Sequence, residues 1–352
     1  MTDEKDDDPP TPIGEIVSAR AAPAPLTPVQ ERLCDRAAEI MEGDPKDVLY
    51  QHTALCQTYF PYRDPKTIRR WSRSNGRMSI LMQAGEVIDP VTMEFRQVGL
   101  PFGSKARLVV AHLNTRALHV GSNVIPIEEG SFTAFVKSMQ DPLHDKAPAP
   151  NGRELRAYRE QFTRFSVARL TLAVSLDERR AVQADRQIIE RLEVVWERHE
   201  RQRVLWPDTI TLTPEYWASL QKHAVPLDAR ALAALAHSAL ALDIYQWLAQ
   251  RLHRIPAGQS VAISRVLLHQ QFGGGYASER RFWQVFKVAL RQVLAVYNQA
   301  RISLSEEGIF LRNSLPSVPR RFHVVRALDP INTPGSTDVE MSRAHSRPPE
   351  RS

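Results

Sequence analysis

The stretch from Gly258 to Ser314 constrains the fold most, because its hydrophobic spacing changes twice in a short run. Val261, Ile263, Val266, Leu267 and Leu268 recur at roughly helical spacing between Ser260 and Phe272, and Gly273, Gly274 and Gly275 follow where a helix has to break. That spacing predicts a supporting helix over 260–272 and a turn. A longer helix is predicted from Ser278, whose hydroxyl can cap the first turn, with Phe282, Phe286, Ala289, Leu290, Val293 and Tyr297 on one face. Arg280, Gln284, Lys287 and Arg291 recur on another face, so such a helix packs on a core by one side and offers cations by the other. After Asn298 the period becomes alternating, with Ile302 and Leu304, a turn over Ser305–Gly308, then Ile309 and Leu311, which predicts a hairpin. Helix, turn, basic helix and hairpin is the order of a winged helix. Its second helix enters the major groove, where Arg or Lys bonds guanine and Gln reads adenine. A basic stripe alone is more often a solvated face; the hairpin directly after it favours DNA. Arg281 and Arg312 complete the candidate contacts of this region.

A weaker version of the same order lies upstream. Leu155, Tyr158, Phe162 and Phe165 form an apolar stripe on a helix expected over 152–166, with Arg153, Arg156 and Arg164 roughly opposite. Leu170, Leu172 and Val174 alternate, a loop carries Arg179, Arg180 and Arg186, and Ile188, Leu192, Val194 and Trp196 alternate back. The reading is a second basic helix followed by a long hairpin, hence two winged helices in tandem without a residue-level repeat. Between them, 209–212 reads as a strand, Thr213-Pro214 opens a short helix, and 227–235 and 239–253 supply supporting helices with Trp247 in the core.

Charge narrows the partner. The net charge is +6, but 1–26 holds six acids against two bases and 328–352 four against three, which leaves about +11 in between. A basic body favours a polyanion, nucleic acid first, because its cations release condensed counterions from phosphates. Both ends are rich in Pro and polar residues and read as disordered tails. The expected organisation is therefore a tail over 1–26, a winged-helix-like domain over 27–205, a winged-helix DNA-binding domain over 206–328 and a tail over 329–352. The fold class expected is α+β, mainly helical.

The remainder of the first region is read locally. Thr27-Pro28-Val29-Gln30 has the form of a capping box, predicting a helix to about Glu42 with Cys34 on its apolar face. Asp44 and Pro45 are expected to start another through Leu49 and Cys56, and Met78–Val98 reads as a hairpin broken at Gly85 and Asp89-Pro90. Leu108 to Ala117 reads as a buried helix with His112 in the core, followed by a helix near 131–139. Gly103-Ser104-Lys105 lacks the spacing of a phosphate loop. No His-x-His pair, nucleophile elbow or zinc-ligand spacing occurs, so the expectation is a protein that works by binding, without catalytic residues, metal or cofactor. Two cysteines, no long apolar run and an acidic start predict a reduced, cytoplasmic protein with no membrane partner.

Several ordered strings also resemble one family. Val98-Gly99-Leu100-Pro101-Phe102-Gly103-Ser104-Lys105-Ala106-Arg107-Leu108 is one. Trp206-Pro207-Asp208, Leu212-Thr213-Pro214-Glu215-Tyr216-Trp217, Val225-Pro226-Leu227-Asp228, Ala241-Leu242-Asp243-Ile244-Tyr245 and Gln271-Phe272-Gly273 are others. Over roughly 78–318 the chain resembles the RepA-type plasmid replication initiators. The resemblance implies a protein that binds double-stranded DNA repeats at a plasmid origin, promotes opening, and recruits a host replication initiator and helicase; it admits a homodimer. A winged-helix transcriptional repressor is the alternative. One departure is Ala147-Pro148-Ala149-Pro150-Asn151-Gly152, where relatives tend to carry a glycine-rich turn.

Overall fold

The computed structural model describes residues 26–45, 47–75, 78–88, 92–126, 133, 136–137, 149–175, 181–186, 188–196 and 205–319. Both tails, the loop holding Arg179 and Arg180, and nearly all of the helix expected at 131–139 lie outside them. Among the described residues the architecture is α+β, with more helix than strand.

Helix α1 (Pro28–Glu42) begins as its sequence dictates, with Thr27 and Gln30 bonded reciprocally and Pro28 in the first turn. Its Cys34, expected on an apolar face, is exposed; Leu33 is the residue that α1 buries. The helix expected after Pro45 is instead strand β1 (Val48–His52), paired antiparallel with β11 (Ala224–Asp228). Pairing across the chain overrides the local capping signal. Tyr50 stands opposite Pro226, which has no N–H to give, and the Tyr50 N–H donates to Thr115 Oγ1 at 2.8 Å.

Four strands, in the order β2 (Arg70–Asn75), β3 (Met78–Gln83), β7 (Arg169–Ser175) and β8 (Ala181–Arg186), make one antiparallel sheet. Within 78–98 the hairpin is smaller than expected: β4 (Glu86–Ile88) pairs with β5 (Phe95–Gln97), while β3 belongs to the larger sheet. The expected hairpin of 170–174 with 188–196 is also corrected. β7 pairs with β8, and β9 (Ile189–Trp196) pairs with β10 (Leu205–Leu212). The basic helix here is α3 (Gly152–Val167), capped by Asn151 and Glu154. It follows α2 (Gly103–Val120) and β6 (Val124–Pro126), and the sheet order is β6-β10-β9.

α4 (Pro214–His223), α5 (Ala229–Leu235) and α6 (Ala239–Arg251) lead to β12 (Ser260–Ser264), α7 (Arg265–Phe272), α8 (Glu279–Val296), β13 (Ile302–Leu304) and β14 (Gly308–Arg312), with sheet order β12-β14-β13. The single helix expected over 260–272 is thus a strand and a helix. Val261 and Ile263 satisfy an alternating period as well as a helical one, and pairing with β14 selects the strand; Ser264 then caps α7 by accepting from Leu267 N–H. At the hairpin tip a Cβ on Gly308 would collide with the Ile263 carbonyl, so glycine is required there.

One hydrophobic core runs through both halves. Its aromatic centre is Phe272, stacked on Tyr59 at 4.8 Å and edge-on to Trp247 at 5.3 Å, with Phe286 at 5.8 Å. Helix α1 packs against both α5 and α8, so the first helix of the chain is built onto its last domain. Among the described residues no helix is long and apolar enough to cross a membrane.

Candidate nucleic-acid interface

Helix α8 is held in place by its apolar face. Ser278 Oγ caps it, and Phe282, Phe286, Ala289, Leu290 and Val293 are buried, as the spacing predicts. The sequence reading missed Trp283, also buried, which stacks on Phe286 with centroids 5.6 Å apart. Its indole carries two cations over its ring, Arg265 at 5.5 Å and Lys287 at 5.9 Å, and Arg265 also meets Glu279 at 3.3 Å. Arg280, Arg281, Gln284 and Arg291 are exposed, and Lys287 is half-buried against Trp283. Arg281 makes only a long bond to Gln284 Oε1, at 3.4 Å. After the helix, Arg312 is exposed at the end of β14 and donates to Ser303 Oγ at 3.3 Å. The set expected on this helix and hairpin is therefore brought together on one chain segment, with the guanidinium groups mostly in water.

The three arginines of α3 expected to meet DNA, Arg153, Arg156 and Arg164, divide. Arg153 and Arg156 are exposed. Arg164 is turned inward: its Nη1 and Nη2 donate to the two carboxylate oxygens of Asp64 at 3.0 and 3.2 Å, Nη1 also reaches the Leu100 carbonyl at 3.0 Å, and Glu160 binds from the helix itself. The guanidinium lies over Phe102 at 4.9 Å and against Gly99, where a Cβ would strike it. Hydrogen bonding to Arg164, ahead of the opposing effect of burial, holds the Asp64 carboxyl below its ordinary range. Arg164 is thus a clamp between α3 and the segment 98–102, with both of its Nη groups engaged. Arg179 and Arg180 lie outside the described residues.

The strings that carry the family resemblance are mostly internal. Gly103 has φ of +73° and donates its N–H to the Pro61 carbonyl at 2.9 Å, and Lys105 lies over the Tyr158 ring at 5.0 Å. Arg107 is buried and joins Asp243 through Nε at 2.6 Å and Nη2 at 2.7 Å, with further bonds to the Phe60 and Gly103 carbonyls. Burial outweighs Arg107 and lifts the Asp243 carboxyl to about 6. This pair bolts α2 to α6. Asp228 caps α5 and binds Arg230, which reaches on to the Glu39 and Gly43 carbonyls at the end of α1. Sequence reasoning missed both pairs; their trace was that Arg107 and Asp243 stand in otherwise apolar helical runs and that Asp228 and Arg230 interrupt an apolar stretch.

His112 is buried in α2, and its imidazole is pushed down to about 3 by burial, with repulsion from Arg116 and His119 adding to it. Cys56 is buried and burial pushes its thiol up. Among the described residues no three His, Cys, Asp or Glu side chains are grouped to hold a metal ion.

Among curated proteins no sequence matches this chain. Two crystal structures of domains 2 and 3 of RctB are similar at 12% identity. One covers 72% of this chain and 94% of its own with a TM-score of 0.46, the other 73% and 94% with 0.44. Residues 100–269 match the family described as plasmid-encoded RepA protein, a segment that contains both Arg107 and Asp243. Across that segment the chain is similar to the plasmid-encoded RepA protein family.

Proposed function

We propose that the chain is a plasmid replication initiator that binds repeated duplex sites at the plasmid origin through two winged helices in tandem. The observation that carries this reading is helix α8: one face is core, and the other exposes Arg280, Gln284 and Arg291 to solvent. Arginine bonds guanine O6 and N7 and glutamine bonds adenine N6 and N7, so this row suits base edges in a major groove. Two further features support it. The sheet orders β6-β10-β9 and β12-β14-β13 place the last strand of each hairpin between its neighbours in the same way, and the family is one of plasmid-encoded proteins. Arg281 and Arg312 flank the row and suit phosphates; Arg153 and Arg156 give α3 a smaller basic face. Opening of the origin and recruitment of a host initiator and helicase follow from kinship and need no catalytic group in this chain. Footprinting the full chain on DNA flanking its gene is expected to protect repeats beside an AT-rich tract, with affinity falling steeply as salt rises. Folded protein that protects no site, or whose affinity ignores salt, would refute the reading.

A further inference from the structure

A cleft of about 750 Å³ opens between the segment 59–73 and the turn joining α7 to α8. Its walls bring together Arg63, Trp71 and Arg73 from the approach to β2 and from β2 itself, and Tyr276 and Arg281 from the turn and the first turn of α8. None of Arg63, Arg73 or Trp71 was singled out by the sequence, although Arg69, Arg70 and Arg73 surround Trp71 in one run.

Three observations define what this cleft accepts. Its charge is positive: Asp64 is the one acidic residue in its wall, and both carboxylate oxygens of Asp64 already accept from Arg164. Among the described residues neither Arg63 nor Arg73 enters an ion pair. Its shape is open, since Arg63, Gly275 and Ala277 on its rim are exposed, which suits a strand passing through more than an enclosed small molecule. Its position is rigid: the Arg73 guanidinium lies over Trp71 at 5.5 Å and fills the space that a Cβ on Gly274 would need, so edge strand β2 closes directly on the turn that leads into α8.

We infer that this cleft holds the sugar–phosphate backbone of one DNA strand beside the groove that α8 enters, with Arg63, Arg73 and Arg281 on phosphates and the Trp71 and Tyr276 rings against the sugars. The inference rests on the reading of α8 as the DNA-facing helix. It gives the four-stranded sheet of the first half a part in the second half's DNA site. Guanidinium groups match phosphate oxygens two bonds at a time, and such contacts set register on the duplex without reading sequence.

The test uses the full chain with two fluorescent duplexes, the protected repeat and a random sequence, comparing Arg63→Gln, Arg73→Gln and Arg73→Lys with Arg291→Gln on the repeat as reference. Arg63→Gln is expected to weaken binding roughly threefold to tenfold on every sequence and to lower the slope of log affinity against log salt by about 0.9, the value for one phosphate contact. Arg73→Gln should behave alike, and Arg73→Lys should restore the slope. If the Arg63 and Arg73 variants match wild type in affinity and slope while Arg291→Gln binds more weakly, the cleft assignment fails and the α8 reading survives. If Arg291→Gln is also unchanged, the α8 reading itself fails. Tighter duplex binding by Arg63→Gln would overturn the inference too, since the cleft would then serve an acidic segment such as Asp3 to Asp8 of this chain.

Discussion

The two basic helices, α3 and α8, spend their arginines differently. In α8 the buried face is apolar and the cations stand outside it, with Lys287 resting on Trp283. In α3 one of four arginines, Arg164, is drawn inward to Asp64, Leu100 and Glu160. The first half also inserts β7 and β8 between its basic helix and its hairpin, whereas α8 runs to β13 through a short turn. Two basic helices thus put the same residue type to two uses, and the use is decided by whether a carboxylate from elsewhere in the chain reaches it.

The link between the halves should be the most sensitive point. Arg107→Met leaves Asp243 buried without its cation and is expected to cost about 3–5 kcal/mol in chemical denaturation. The double change Arg107→Met with Asp243→Leu should recover most of that loss, because an apolar pair of similar volume carries no stranded charge. A single variant as stable as wild type would mean that the two halves do not depend on this pair.

Next comes the contrast between the helices themselves. Arg164→Gln removes charge-assisted bonds that are partly shielded from water and should destabilise by about 2–3 kcal/mol, while Arg291→Gln should change stability by less than about 0.5 kcal/mol. Thermal unfolding of both variants measures this, and equal effects would erase the distinction drawn between α3 and α8.

A smaller effect separates the supporting helices. His112 in α2 titrates near 6.5 when unfolded and is pushed down to about 3 when folded, so the unfolded chain binds the proton first. Its contribution is complete above 6.5 and is lost as pH falls toward 3, amounting to about 2 kcal/mol at pH 5. His112→Leu should therefore be less sensitive than wild type to acidification from pH 7 to pH 5 by that amount, as judged by denaturation midpoints; parallel curves would contradict the burial argument.

What the sequence revealed and what it hid follow from range. The buried stripe of α8 was legible because a period of three and four needs no partner to be read, and the caps at Thr27 and Thr213 are local for the same reason. Strand β1 was not legible: its reason for being a strand is β11, far along the chain. Val261 and Ile263 fit two periods, and only pairing with β14 decided between them. Arg164 looked like Arg153 and Arg156 on the helix surface because Asp64, which distinguishes it, belongs to another segment. The family strings pointed to a relationship, yet their charged members Arg107, Asp228 and Asp243 brace the scaffold, while the exposed row on α8 came from periodicity alone.

In the proposed function the outward face of α8 meets DNA bases. The most direct measurement is the affinity of folded Gln284→Ala and Arg291→Ala proteins for the protected repeat and for a set of single-base-pair variants of it. Loss of about 1–3 kcal/mol on the native repeat, with relaxed preference at one base pair per substitution and unchanged thermal stability, is the expected result. Wild-type affinity and wild-type base preference in both proteins would contradict it.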